Sequence, residues 1–116
     1  MKVLLSDPNL ITSSKITSLL KSQGWEVLTA TRWNKAKAIL KENTNVKVAV
    51  INLEGFGGEE LLENLKREYP DIKVIAFCGH KNIQLQQRAK ELGAELVVPN
   101  SAIASSAPQL VKQVIS

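Results

Sequence analysis

The stretch Val48-Ala-Val-Ile-Asn-Leu-Glu-Gly-Phe-Gly-Gly58 runs from an almost unbroken apolar segment into a glycine-rich turn. Residues 47–53 lack the alternation of a half-exposed strand. Both faces are therefore expected to be covered, as in a parallel sheet clad by helices. The turn leads into residues 59–69, where Leu61, Leu62 and Leu65 recur at helical spacing and Glu59 and Glu60 stand favourably in the first turn. The segment reads as one strand-to-helix unit. Its strand closes on Asn52, an amide, at the place where α/β proteins commonly put their chemistry.

The same unit repeats on either side. Residues 2–6 are a short apolar run ended by Asp7-Pro8-Asn9, and Thr12, Ile16, Leu19 and Leu20 mark the inner face of a helix over 9–23 that Gly24 caps. Residues 25–30 are rich in strand formers, and Thr31 is placed to cap a helix striped by Trp33, Ala36, Ile39 and Leu40. Pro70-Asp71 breaks the central helix before a fourth apolar strand, 73–78. A helix over about 82–92 then ends at Gly93. Residues 95–98 give a fifth strand, 99–105 a loop, and Ser106-Ala107-Pro108 opens a last helix with Leu110, Val111 and Val114 inward. Five strands alternating with five helices predict one domain, 1–116, on a parallel sheet with helices on both faces, because right-handed crossovers permit little else.

Composition narrows the function classes. A chain of 116 residues with 44% hydrophobic and 22% charged residues can build one core and has the balance of a soluble globular protein. No segment approaches the roughly 18 apolar residues of a membrane helix, and the opening apolar run falls short of the roughly 7–15 residues of a signal-peptide core. Cys78 is the single cysteine, so there is no internal disulfide and no Cys/His set for zinc. A cytoplasmic protein without membrane, metal or cofactor is expected. The net charge of +4 is segregated: Lys15, Lys21, Arg32, Lys35, Lys37 and Lys41 face Glu26 alone between residues 8 and 41, whereas residues 54–71 carry six acids against Lys66 and Arg67. Such a basic flank is either a solvated helix face or a surface for an acidic protein partner. No aromatic residues interleave with it as a nucleic-acid stacking platform would require.

In an open parallel sheet, ligands bind beyond the carboxyl ends of the strands, and those ends carry Asp7, Asn52 with Glu54, Cys78 and Asn100. The segments Lys2-Val-Leu-Leu-Ser-Asp7, Gly24-Trp-Glu-Val27, Val48-Ala-Val-Ile-Asn52-Leu53, Val74-Ile-Ala-Phe-Cys78-Gly79 and Gly93-Ala-Glu-Leu-Val-Val-Pro-Asn100-Ser101 together resemble the receiver domain of bacterial response regulators. The resemblance covers nearly the whole chain. It implies a CheY-like, flavodoxin-like doubly wound sheet of strand order 2-1-3-4-5, and a signalling role. In such receivers an aspartate ending the third strand takes a phosphoryl group from a histidine kinase, and two acids after the first strand help hold magnesium. A Thr or Ser after the fourth strand contacts the phosphoryl oxygen, and a Lys after the fifth pairs with it.

Carried over position by position, the first acid falls on Asp7, but the second falls on Pro8, the acceptor on Asn52, the Thr or Ser on Cys78 and the Lys on Asn100. The aromatic switch residue of many receivers falls on Val97. The chemistry of these replacements is plain. Magnesium wants several oxygen ligands with compensating carboxylate charge, and Asp7 supplies one. An amide oxygen is a far poorer nucleophile than a carboxylate. Asn100 removes the cation that would offset phosphoryl charge. The resemblance therefore implies a pseudo-receiver that is not an enzyme, is not phosphorylated on aspartate, and acts by contact with a protein partner.

Other readings stand beside it. Glu54 is either an exposed loop acid or a fixed mimic of negative charge in the pocket, and Gly55, Gly57 and Gly58 are either turn formers or an anion cradle whose first helical turn is already acidic. The cleft of Asp7, Asn52, Glu54 and these glycines could bind a small molecule or anion, and a residual phosphorelay through Asp7 or Glu54 is the remaining alternative. Asn52 and Asn100 are placed to bond one another or Asp7, and Cys78 reads as a small buried hydrophobe rather than a redox thiol.

Overall fold

A computed structural model of the chain describes residues 1–116. Strands β1 (Lys2–Ser6), β2 (Glu26–Thr29), β3 (Val46–Asn52), β4 (Lys73–Cys78) and β5 (Leu96–Pro99) alternate with helices α1 (Leu10–Ser22), α2 (Trp33–Glu42), α3 (Gly58–Glu68), α4 (Ile83–Glu91) and α5 (Asn100–Ile115). Every pairing is parallel and the order is β2-β1-β3-β4-β5. This is the CheY-like, flavodoxin-like arrangement implied by the sequence. Strand order reverses between β1 and its neighbours, so the crevice of the fold opens above the carboxyl ends of β1 and β3.

The apolar run around Val48 works as a two-sided strand because successive side chains enter different cores. Val48 and Val50 pack with Val3, Leu5, Ile75 and Phe77 under α1 and α5, where Ile16, Leu20, Ile103, Ala107 and Val111 close the layer. Ala49 and Ile51 pack with Leu4, Val74, Ala76 and Cys78 under α2, α3 and α4, against Ala36, Leu40, Leu61, Leu62, Leu65 and Ala89. Burial on both sides leaves the polar ends of the strands as the places where the sheet meets water.

Two local expectations are corrected. Residues 100–105 are helix rather than loop, because Ile103, Ala107 and Val111 form a fully buried stripe at four-residue spacing. The expected start at Ser106 survives as a kink, with Ser106 at φ −133° and ψ 26°, and this places Pro108 in the first turn of the second segment, where a missing N–H is tolerated. Thr31 is not the cap of α2. The helix begins at Trp33 after an extended Arg32 and has no side-chain cap. Asn9 and Asn82, by contrast, do cap α1 and α4 through their side-chain oxygens.

Candidate functional site

Asp7 follows β1 directly and is only 5% exposed. The register pairs Ser6 with Ile51, so Asn52 lies across from it on β3. The Asn52 amide Nδ2 donates to Asp7 Oδ1 at 3.0 Å, and the backbone N–H of Asn9 donates to the same oxygen at 3.0 Å. Asn52 Oδ1 then accepts from the Glu54 N–H at 2.9 Å, which fixes the orientation of the amide. Glu54 continues the line: Oε1 accepts from the Gly79 N–H at 2.9 Å and Oε2 from Asn82 Nδ2 at 3.4 Å. A belt of polar contacts thus runs along the carboxyl edge of the sheet from the start of α1 to the start of α4.

The glycine loop is shaped by close approach. A Cβ at Gly58 would collide with the Asn52 carbonyl, and Gly57, at φ +86°, supplies the left-handed turn before α3. Gly55 lies under the ring of Pro8, where a Cβ would meet Cγ and Cδ at 2.5 Å. Pro8 is therefore a packing lid on the loop.

A cleft of about 440 Å³ opens beside the belt, lined among others by Pro8, Thr12, Asn52, Glu54, Gly55 and Asn100. Of the predicted pocket residues, Asp7, Gly57 and Gly58 lie outside it, and the two glycines close the turn instead. Asn100, exposed as the first residue of α5, makes no hydrogen bond to Asn52 or Asp7. Cys78 is buried in the core layer below, its Sγ 4.0 Å from the Asn82 carbonyl. Burial, and then the nearby charge of Glu54, push its thiol above the ordinary 9.0, so it is a neutral packing group.

This donor set does not fit magnesium. Asp7 Oδ1 already faces an amide N–H donor, which takes the place a cation would need. No group of three or more acidic, histidine or cysteine residues converges anywhere in the chain. Asp7 Oδ2 is buried and has no partner. The sequence reading overlooked Asn9, Gly79 and Asn82. The two asparagines were legible as helix-start residues, but their bonds to the site depend on how the loops fold back.

Of the basic flank, Lys15, Lys21, Arg32 and Lys35 are exposed, whereas Lys37 is half-buried and pairs with Glu68 at 3.4 Å. Arg32 lies 4.4 Å above the ring of exposed Phe56. Val97 is half-buried in β5 against the α2–α3–α4 core layer. No helix is long and apolar enough to cross a membrane.

Residues 3–105 match the family model of the response regulator receiver domain. The nitrogen assimilation regulatory protein NtrX of Azorhizobium caulinodans is 32% identical over 95 residues, covering 79% of this chain and 21% of that protein. A cyclic di-GMP phosphodiesterase of Thermotoga maritima is 27% identical over 95 residues, 82% of this chain and 26% of that one. The chain thus spans about a fifth to a quarter of the length of the curated relatives it matches. The receiver domain of NtrX from Brucella abortus shares the fold at a TM-score of 0.83 and 19% identity, over 98% of this chain and 97% of that structure. With fold, crevice and family match in agreement, the chain belongs to the response regulator receiver domain family, the signalling modules of two-component systems.

Proposed function

We propose that this domain is a pseudo-receiver: a cytoplasmic module, folded as the single unit 1–116, that signals by binding a protein partner without being phosphorylated on aspartate. The observation that carries the reading is the 3.0 Å bond from Asn52 Nδ2 to Asp7 Oδ1. A neutral amide stands at the acceptor position and donates to the one carboxylate that could hold magnesium, so nucleophile and cation site are lost together. Asn100 offers no positive charge to a phosphoryl group, and Pro8 covers Gly55 where a second acid would reach the metal. Contact with a partner then falls to the surface, and exposed Lys15, Lys21, Arg32 and Lys35, with Lys37 beside them, suit an acidic one.

A second reading, small-ligand binding, is favoured by one observation. The buried Asp7 Oδ2 lacks a donor, and Asp7 also lines a crevice of about 370 Å³ with Ser13, Thr29, Thr31 and Lys35.

The experiment is a titration of the 15N-labelled domain with beryllium fluoride and magnesium, followed at the amides of residues 7, 52 and 100. No saturable shift is expected, and acetyl phosphate leaves the intact mass unchanged. A saturable shift centred on those amides, or a gain of one phosphoryl group, would overturn the proposal. Shifts around Asp7 and Lys35 with small metabolites alone would favour the ligand reading.

A further inference from the structure

Glu54, like Asp7, is a member of the polar belt whose charge meets no cation. Its carboxylate is held by the Gly79 N–H at 2.9 Å and the Asn82 amide at 3.4 Å, and Asn82 in turn caps α4 through the Leu85 N–H. None of the salt bridges in the domain includes it. Three features aim it there. Asn52 Oδ1 pins the Glu54 backbone N–H at 2.9 Å, so the residue at the acceptor position also orients the acid two residues on. Gly79 eases the approach, since a Cβ on it would stand 3.3 Å from Glu54 Oε2 and would push the carboxylate back by a few tenths of an ångström. The carboxylate also lies beside Asn82, the N-cap of α4, where the helix dipole favours an anion. Gly79 adjoins Cys78, the position at which the receiver resemblance places the phosphoryl-contacting hydroxyl.

We propose that Glu54 is a permanent anionic latch: its carboxylate fills the donor site at the β4–α4 junction and holds that junction and the start of α4 in one state without a phosphoryl group. Its negative charge reaches as far as the Cys78 thiol, which it helps to keep protonated. The latch is covalently tethered through the β3–α3 loop, so it is always present and cannot be removed by hydrolysis. The face presented by the β4–α4 junction and α4 is then constant, and the partner's supply sets the signal. This role deepens the phosphorylation-independent reading and rests on it, but its test reads Glu54 variants rather than phosphoryl uptake, so either can fail alone.

The test compares wild type, Glu54→Gln and Glu54→Ala by amide hydrogen exchange and 15N chemical shift, then adds sodium acetate at constant ionic strength. In Glu54→Ala the Gly79 amide is expected to exchange faster by about tenfold or more, with shifts confined to residues 79–85 apart from the chain neighbours of residue 54 itself. Glu54→Gln keeps one acceptor and falls between. Acetate restores the Gly79 protection and shifts in Glu54→Ala toward wild type, because it refills a vacated anion site, and leaves wild type unmoved. Unchanged Gly79 exchange in Glu54→Ala would sink the latch. So would equal acceleration at Val50 in β3, which would mean only global loss of stability, or an acetate response of the same size in wild type.

Discussion

The two ends of the sheet each carry a glutamate that ties neighbouring segments together, and the two are partnered differently. At the amino end Glu95, just ahead of β5, takes Lys66 of α3 at 2.8 and 3.0 Å and the Val74 N–H of β4 at 2.7 Å, while Lys66 also donates to the Ile72 carbonyl at 3.2 Å. At the carboxyl end Glu54 takes a backbone N–H and an amide, and Asp7 takes the same two kinds of donor. The amino-end clasp is charge-compensated and holds the fold. The carboxyl-end belt leaves two carboxylates without a cation, so the charge that a receiver's metal would compensate persists at the end where the family places its chemistry.

The comparison breaks most strongly at Glu95. Its replacement by Ala leaves Lys66, with only 14% of its side chain exposed, short of its carboxylate and strands the Val74 N–H, so unfolding stability is expected to fall by about 2 kcal/mol. The pH dependence follows from the direction of the Glu95 shift. Burial works to raise its pKa, but the hydrogen bonds from Lys66 and the Val74 N–H, with the charge of Lys66, outweigh it and hold the carboxyl below its ordinary 4.5. A depressed folded-state pKa contributes stability that is present above the unfolded value and is lost as pH falls through the folded one. Urea midpoints measured from pH 7 to pH 3 should therefore decline below about 4.5 in wild type, and decline less in Glu95→Gln. Equal acid sensitivity in the two would mean that the clasp does not titrate as its geometry indicates.

How far these features could be read in the sequence depends on their range. Strand β4 was legible to the residue because Val74–Cys78 is a continuous apolar run after Lys73, closed off by Pro70-Asp71 and a glycine. The place of Asn52 was legible because it stands at a strand end that topology alone marks. Residues 100–105 misread as loop because serines and a later proline weaken the local helix signal, whereas burial of Ile103 against Phe77 and Ile75 decides the matter. The Glu54 contacts were visible only as one of two alternatives. A carboxylate that bonds a backbone N–H 25 positions away leaves no residue pattern, since any residue but proline at 79 carries that donor. Only the absence of a Cβ at Gly79 left a trace.

A smaller effect sharpens the comparison from the other side. Asn52→Asp would exchange the amide donor for a second carboxylate 3.0 Å from Asp7, with no neighbouring cation, and is expected to cost about 1 kcal/mol at pH 7. The sign of its pH dependence is opposite to that of the amino-end clasp. In the variant, repulsion between the two carboxylates grows as they ionise, so the penalty is expected at neutral pH and is relieved as pH falls. Magnesium should relieve it too, by supplying the missing charge. A variant as stable as wild type at pH 7, or indifferent to magnesium, would show that Asp7 and position 52 do not share one site.

The smallest effect belongs to Asn100→Lys. Asn100 is exposed, begins α5 and makes no hydrogen bond within the belt, so the substitution alone should change stability by no more than about 0.5 kcal/mol. The change should be slightly unfavourable, because a cation at a helix start opposes the helix dipole. In the Asn52→Asp background the same lysine should become stabilising, because it then faces two uncompensated carboxylates across the cleft that Asn52 and Asn100 both line. A double-mutant cycle at low salt reads the difference directly as a coupling free energy between positions 52 and 100. Coupling that is present at low salt and fades as salt is added would show that the receiver's charge arrangement remains latent in the geometry and awaits only its charges. Coupling of zero would place position 100 outside the electrostatic reach of Asp7 and position 52.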